Sequence, residues 1–79
     1  MWEVIGFESN LDENGTPFAY TVYAVKAMKH KPGEVEGQKA RRLWYRTAEI
    51  QYVPQVGDSV IIDTETRGKY EVVTDIERV

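Results

Sequence analysis

Three side chains of this sequence have types and spacing suited to recognition chemistry: Arg42, Trp44 and Arg46. Alternate residues of a β-strand project from one face, so a strand here would set an indole between two guanidinium groups. Such a face binds single-stranded nucleic acid: rings stack unpaired bases, at roughly 1–3 kcal/mol per base, while cations track phosphates. Tyr20 and Lys26 share one face of the preceding apolar stretch and extend the platform if that face points outward. Arg41 and the lysines Lys29, Lys31 and Lys39 add positive charge around it. The lysines read two ways, as phosphate contacts on a mobile wing or as solvated charge that blunts a sheet edge. Trp44 also reads two ways, as a stacking platform or as a plug for a barrel or dimer interface with the arginines snorkelling past it.

Catalytic inventory is thin. The chain has one histidine and no cysteine, and it lacks phosphate-loop, nucleophile-elbow and zinc-ligand spacings, so no enzyme is expected. His30 sits between two lysines in a polar stretch and reads as a neutral surface residue, not a metal ligand. Asp58, Asp63, Glu65 and Asp75 match no cation-binding loop and read as solvated strand-end acids. Neither a cofactor nor a small-molecule substrate is implied.

The elements that must position these residues follow from period and turn chemistry. Trp2 to Glu8 is a short β-rich run, and Asn14-Gly15 with Pro17 marks a hairpin loop. Phe18 to Met28 alternates through aromatic and β-branched residues as a long second strand. Lys29 to Gln38 is polar and broken by Pro32-Gly33 and Gly37, which predicts a projecting basic hairpin loop. Ala40 to Thr47 gives a third strand, Ala48 to Pro54 reads as irregular with room for one helical turn, and Val56 to Asp63 reads as a turn into a fourth. Arg67-Gly68-Lys69 then leads to a fifth, Tyr70 to Ile76. Tyr23, Val25, Leu43, Tyr45, Val60, Ile62 and Val72 are the expected core. Five short strands in one domain, residues 1–79, predict an all-β fold, a small five-stranded OB-like barrel whose closure removes exposed edges.

Composition bounds the rest. Seventy-nine residues, 42% hydrophobic and 29% charged, suffice for one folded domain. Absence of cysteine suits a reducing compartment, and Met1 to Phe7 contains neither a basic segment nor a long apolar stretch, so a cytoplasmic protein without membrane contact is expected. The net charge of −3 hides a division: Lys26 to Arg46 holds seven basic and two acidic residues, a balance of +5, and the remainder carries −8. One region therefore attracts polyanions while the rest repels them. A protein-interaction or regulatory module, pairing an edge or aromatic patch with itself or a partner, is the rival reading. An inhibitor whose acidic surface mimics nucleic acid is a third.

Four segments carry resemblances: Gly15-Thr16-Pro17-Phe18, the wing ending Val35-Glu36-Gly37-Gln38, Tyr52-Val53-Pro54-Gln55-Val56-Gly57-Asp58, and Arg67-Gly68-Lys69-Tyr70. The strand order and the Gly-x-Pro-aromatic entry into a long second strand are similar to the filamentous-phage helix-destabilising (gene V) single-stranded DNA-binding proteins. That likeness implies a five-stranded OB-type barrel acting as a homodimer, with Tyr20, Lys26 and the wing from Lys29 to Lys39 facing DNA; the acidic net charge departs from it. From about Gly15 onward the chain also resembles small uncharacterised proteins of phages and conjugative elements of Gram-positive bacteria, a likeness that implies no activity.

Overall fold

The computed structural model describes residues 1–27 and 38–79. The strands are β1 (Trp2–Leu11), β2 (Pro17–Ala27), β3 (Gln38–Arg46), β4 (Ser59–Arg67) and β5 (Tyr70–Arg78). They form one antiparallel sheet in the order β3-β2-β1-β4-β5, with no helix among the described residues. The five expected segments are thus all strands. A barrel closed by strand pairing is not formed: β3 and β5 remain the two edges and meet through side chains, with an Arg41–Glu71 ion pair across the gap. The expected basic hairpin loop, with Lys29, His30 and Lys31, lies outside the described residues.

Local chemistry explains the joints. Between β1 and β2 the Asp12 carboxylate accepts the backbone N–H groups of Asn14 (2.9 Å) and Thr16 (3.0 Å), and Gly15 takes the positive φ of 78° that a side chain would oppose. Pro17, which has no N–H, opens β2. β1 pairs with β2 from Glu3 to Leu11 but with β4 only at Trp2 and Glu3, opposite Val60 and Ser59. Val4 completes that seam, its N–H donating to Asp58 O (2.9 Å) and its carbonyl accepting from Gly57 N–H (2.8 Å). One extra residue at Ile5, between the pairs Val4 with Ala24 and Gly6 with Tyr23, bulges the strand. Beyond this bulge the β4–β5 hairpin and β1 part company.

The core is Val4, Tyr20, Val22, Leu43, Tyr45, Ile50, Tyr52, Val60 and Ile76, with Trp2, Ile62 and Val73 packed against it. Leu43, Tyr45, Val60 and Ile62 are where the sequence pattern puts them. β2 is inverted relative to expectation: Tyr20, Val22 and Ala24 are buried, while Tyr23 and Val25 are half-buried on the opposite face. Both faces of this strand are apolar, so alternation could not choose; pairing chooses, by standing Tyr20 against Tyr45 and Val22 against Leu43. On β5 an irregularity at Asp63/Thr64 of the β4–β5 ladder accompanies Val73, not Val72, packing on the core.

The segment 47–58 between β3 and β4 is tied down by side chains. One turn forms where the Ile50 N–H donates to Arg46 O (3.1 Å), and the Tyr45 hydroxyl donates to Tyr52 O (2.7 Å). The Tyr52 hydroxyl in turn donates to Asp58 Oδ2 (2.6 Å), which also accepts from Arg78 Nε (3.1 Å) and Nη2 (3.0 Å). Gly57, at φ 96°, makes the turn that presents Asp58 to both.

Candidate nucleic-acid interface

β3 positions the first group of site residues because its odd residues are consumed by the core. Leu43 and Tyr45 point inward, which leaves Arg42, Trp44 and Arg46 on the outer face, all three exposed. Trp44 is 49% exposed, so it does not plug the interior. The Arg46 guanidinium lies 5.9 Å from the Trp44 ring centroid, within cation–π range. Across on β2, Ala19, Thr21 and Tyr23 stand opposite Arg46, Trp44 and Arg42 respectively. Ala19 and Thr21 are buried among larger neighbours, and the Thr21 hydroxyl is satisfied by Asn10 Nδ2 (3.3 Å). Among the described residues neither Arg42 nor Arg46 forms an ion pair.

Lys26, Lys39 and Arg41 form a second group. Lys26 stands opposite Lys39 and Ala24 opposite Arg41, so these cations occupy the core-side face beyond the end of the core. There Lys26 and Arg41 flank Trp2: Lys26 Nζ is 5.7 Å and the Arg41 guanidinium 5.4 Å from its ring. Arg41 is held by Glu71, whose carboxyl lies below its ordinary value because the Thr64 hydroxyl, then Arg41, hydrogen-bonds its ionised form. An open groove of about 560 Å³ runs beside β3 between the two groups, lined by Arg41, Arg42, Leu43, Trp44, Thr64, Glu71, Val72 and Val73.

The nine expected binding residues therefore divide. Arg42, Trp44 and Arg46 share a face; Lys26 and Arg41 flank Trp2, with Lys39 opposite Lys26. Tyr20 is 9% exposed in the core, packed edge-on against Phe7, and is no part of an outward platform. Lys29 and Lys31 lie outside the described residues. Sequence reasoning missed Trp2 and Glu71. Trp2 reads as the start of an apolar strand, and nothing local reveals that Lys26 and Arg41, distant in sequence, converge on it.

Of the acids expected to be merely solvated at strand ends, Asp58 is not. Asp58 is engaged by Tyr52 and Arg78, and its carboxyl is lowered first by the Tyr52 hydroxyl and then by Arg78. Tyr52 is pushed up to about 12 by burial and by Asp58, and Tyr45 is raised by burial beside Tyr52 and Tyr20. Among the described residues no three acids or histidines cluster as a metal site, and no helix is long and apolar enough to cross a membrane. The chain matches no family model, no curated protein and no solved structure.

Proposed function

We propose that this protein binds single-stranded nucleic acid, without catalysis, through the outer face of β2–β3 and the groove beside it. The observation that carries the reading is Trp44, a half-exposed indole between Arg42 and Arg46 that neither the core nor a carboxylate among the described residues claims. A protein that needed this tryptophan for stability would bury it. One base stacks on the free indole face, the guanidinium groups meet the flanking phosphates, and the strand continues along the groove toward Arg41 and Trp2. In this reading the curled five-stranded sheet is an OB-like barrel, open between β3 and β5, whose second and third strands carry the ligand as they do in that fold. The likeness to the filamentous-phage helix-destabilising proteins points the same way. A reducing, cytoplasmic setting suits a chain without cysteine.

Tryptophan fluorescence decides the matter. Titration of the unaltered protein with a short oligothymidylate is expected to quench its tryptophan emission, from Trp44 and Trp2, with an affinity that falls as salt rises. An unchanged signal at low salt, with the oligonucleotide in excess, rules the reading out.

A further inference from the structure

The open edge of β1 carries an inference independent of the nucleic-acid reading. β1 is interior in the strand order, yet its pairing with β4 ends at Trp2 and Glu3, and the last backbone bonds on that side are those of Val4. From Ile5 to Leu11 no backbone partner other than β2 exists among the described residues. A strand edge of this length is a template for another strand. The other two edges are guarded by charge, β3 by Lys39, Arg41, Arg42 and Arg46, β5 by Glu71, Asp75 and Glu77. β1 has one charge in this stretch, Glu8, and along it Ile5, Phe7 and Leu11 are 53%, 40% and 54% exposed.

The order of side chains specifies the occupant. Phe7-Glu8-Ser9-Asn10-Leu11 is symmetric in character about Ser9: apolar, polar, small, polar, apolar. We propose that β1 pairs antiparallel with β1 of a second copy of this chain about a two-fold axis at Ser9. That register sets Phe7 opposite Leu11 of the second copy on one face and Glu8 opposite Asn10 on the other, so apolar groups meet and no like charges face each other. Registers centred on Glu8 would stack two carboxylates. A polyanion is excluded from this edge by Glu3, Glu8, Asp12 and Glu13, carried by the strand and its turn.

Sedimentation equilibrium of the full chain, taken to about 1 mM so that a dimer with a dissociation constant of about 0.1 mM is mostly formed, is expected to give a mass that rises with concentration toward twice the 9.1 kDa chain mass. The exposed-site variants F7K and L11E should each return the mass to one chain. The double variant F7K/L11E should restore the dimer, because each introduced ammonium then faces an introduced carboxylate across the axis. Amide exchange in the unaltered protein is a separate readout, with protection between Gly6 and Leu11 rising with concentration. A single-chain mass for the unaltered protein, a mass above two chains, a dimer indifferent to both single variants, or failure of the double variant to re-associate overturns the proposal.

Discussion

The molecule builds the same pair, a guanidinium over an aromatic ring, in two places with opposite consequences. Arg78 lies 5.6 Å from the Tyr52 ring and Arg46 5.9 Å from the Trp44 ring. Around Tyr52 every group is engaged: its hydroxyl and Arg78 both donate to Asp58, Arg78 reaches Val53 O (3.3 Å), and Tyr45 donates to the Tyr52 carbonyl. Around Trp44 no carboxylate among the described residues closes the set, and the side chain is half exposed. Cation and aromatic residue together therefore do not identify a binding site. A third partner decides, since a carboxylate turns the pair into a structural clasp and its absence leaves charge and π-face free.

The comparison breaks most directly by truncating each ring. Tyr52→Ala removes a core side chain, a hydrogen bond to Asp58 and the ring beside Arg78, and by analogy with buried aromatic truncations it should cost about 3–5 kcal/mol, read as a large fall in the thermal midpoint. If thermal stability hardly moves, the clasp is not structural. Trp44→Ala should do the reverse: stability within about 0.5 kcal/mol, as for surface positions, and affinity for oligothymidylate down by roughly 1–3 kcal/mol, about 5- to 150-fold. Loss of stability without loss of binding would make Trp44 another structural ring.

The arginines sharpen the contrast. Arg42→Ala should weaken oligonucleotide binding and lower the slope of log affinity against log salt by about 1 phosphate contact. Arg78→Ala should leave that slope unchanged and lower the thermal midpoint instead, because Asp58 loses its cation. Equal salt slopes for the two variants would remove the distinction between them.

Legibility from sequence tracked how much each element was asked to say on its own. Turn chemistry at Asn14-Gly15 and at Gly57-Asp58, together with the β-rich runs, was enough for five strands, and on β3 alternation favoured Leu43 and Tyr45 for the core while Trp44 kept both faces open until its exposure decided it. On β2 both faces are apolar, so the decision passed to cross-strand pairing, and Tyr20 was placed on the wrong side for that reason. Sheet closure was equally out of reach. Whether β3 meets β5 depends on how far the bulge at Ile5 turns β1 away from β4, a property of several strands at once. The clasp was hidden because Tyr52, Asp58 and Arg78 come from a connecting segment and the last strand, and an acid at a strand entry is ordinarily just solvated.

Proton chemistry separates the two regions last and least. In the clasp the carboxyl of Asp58 is held below its ordinary value by Tyr52 and Arg78, so its contribution is present above the unfolded carboxylate value and is lost as pH falls through the lower folded one. Tyr52, pushed up to about 12, contributes below the unfolded phenol value near 10 and loses that contribution as pH rises through the folded value. Stability should therefore hold between these limbs and decline on both. Asp58→Asn should shrink the acid limb, and Tyr52→Phe should lower stability at neutral pH while shrinking the alkaline one. Among the described residues no carboxylate pairs with Arg42 or Arg46 on the outer face. Nucleic-acid affinity measured across neutral pH should accordingly stay flat. An affinity that rose or fell with the clasp's limbs would mean that the two regions are coupled through the 47–58 segment.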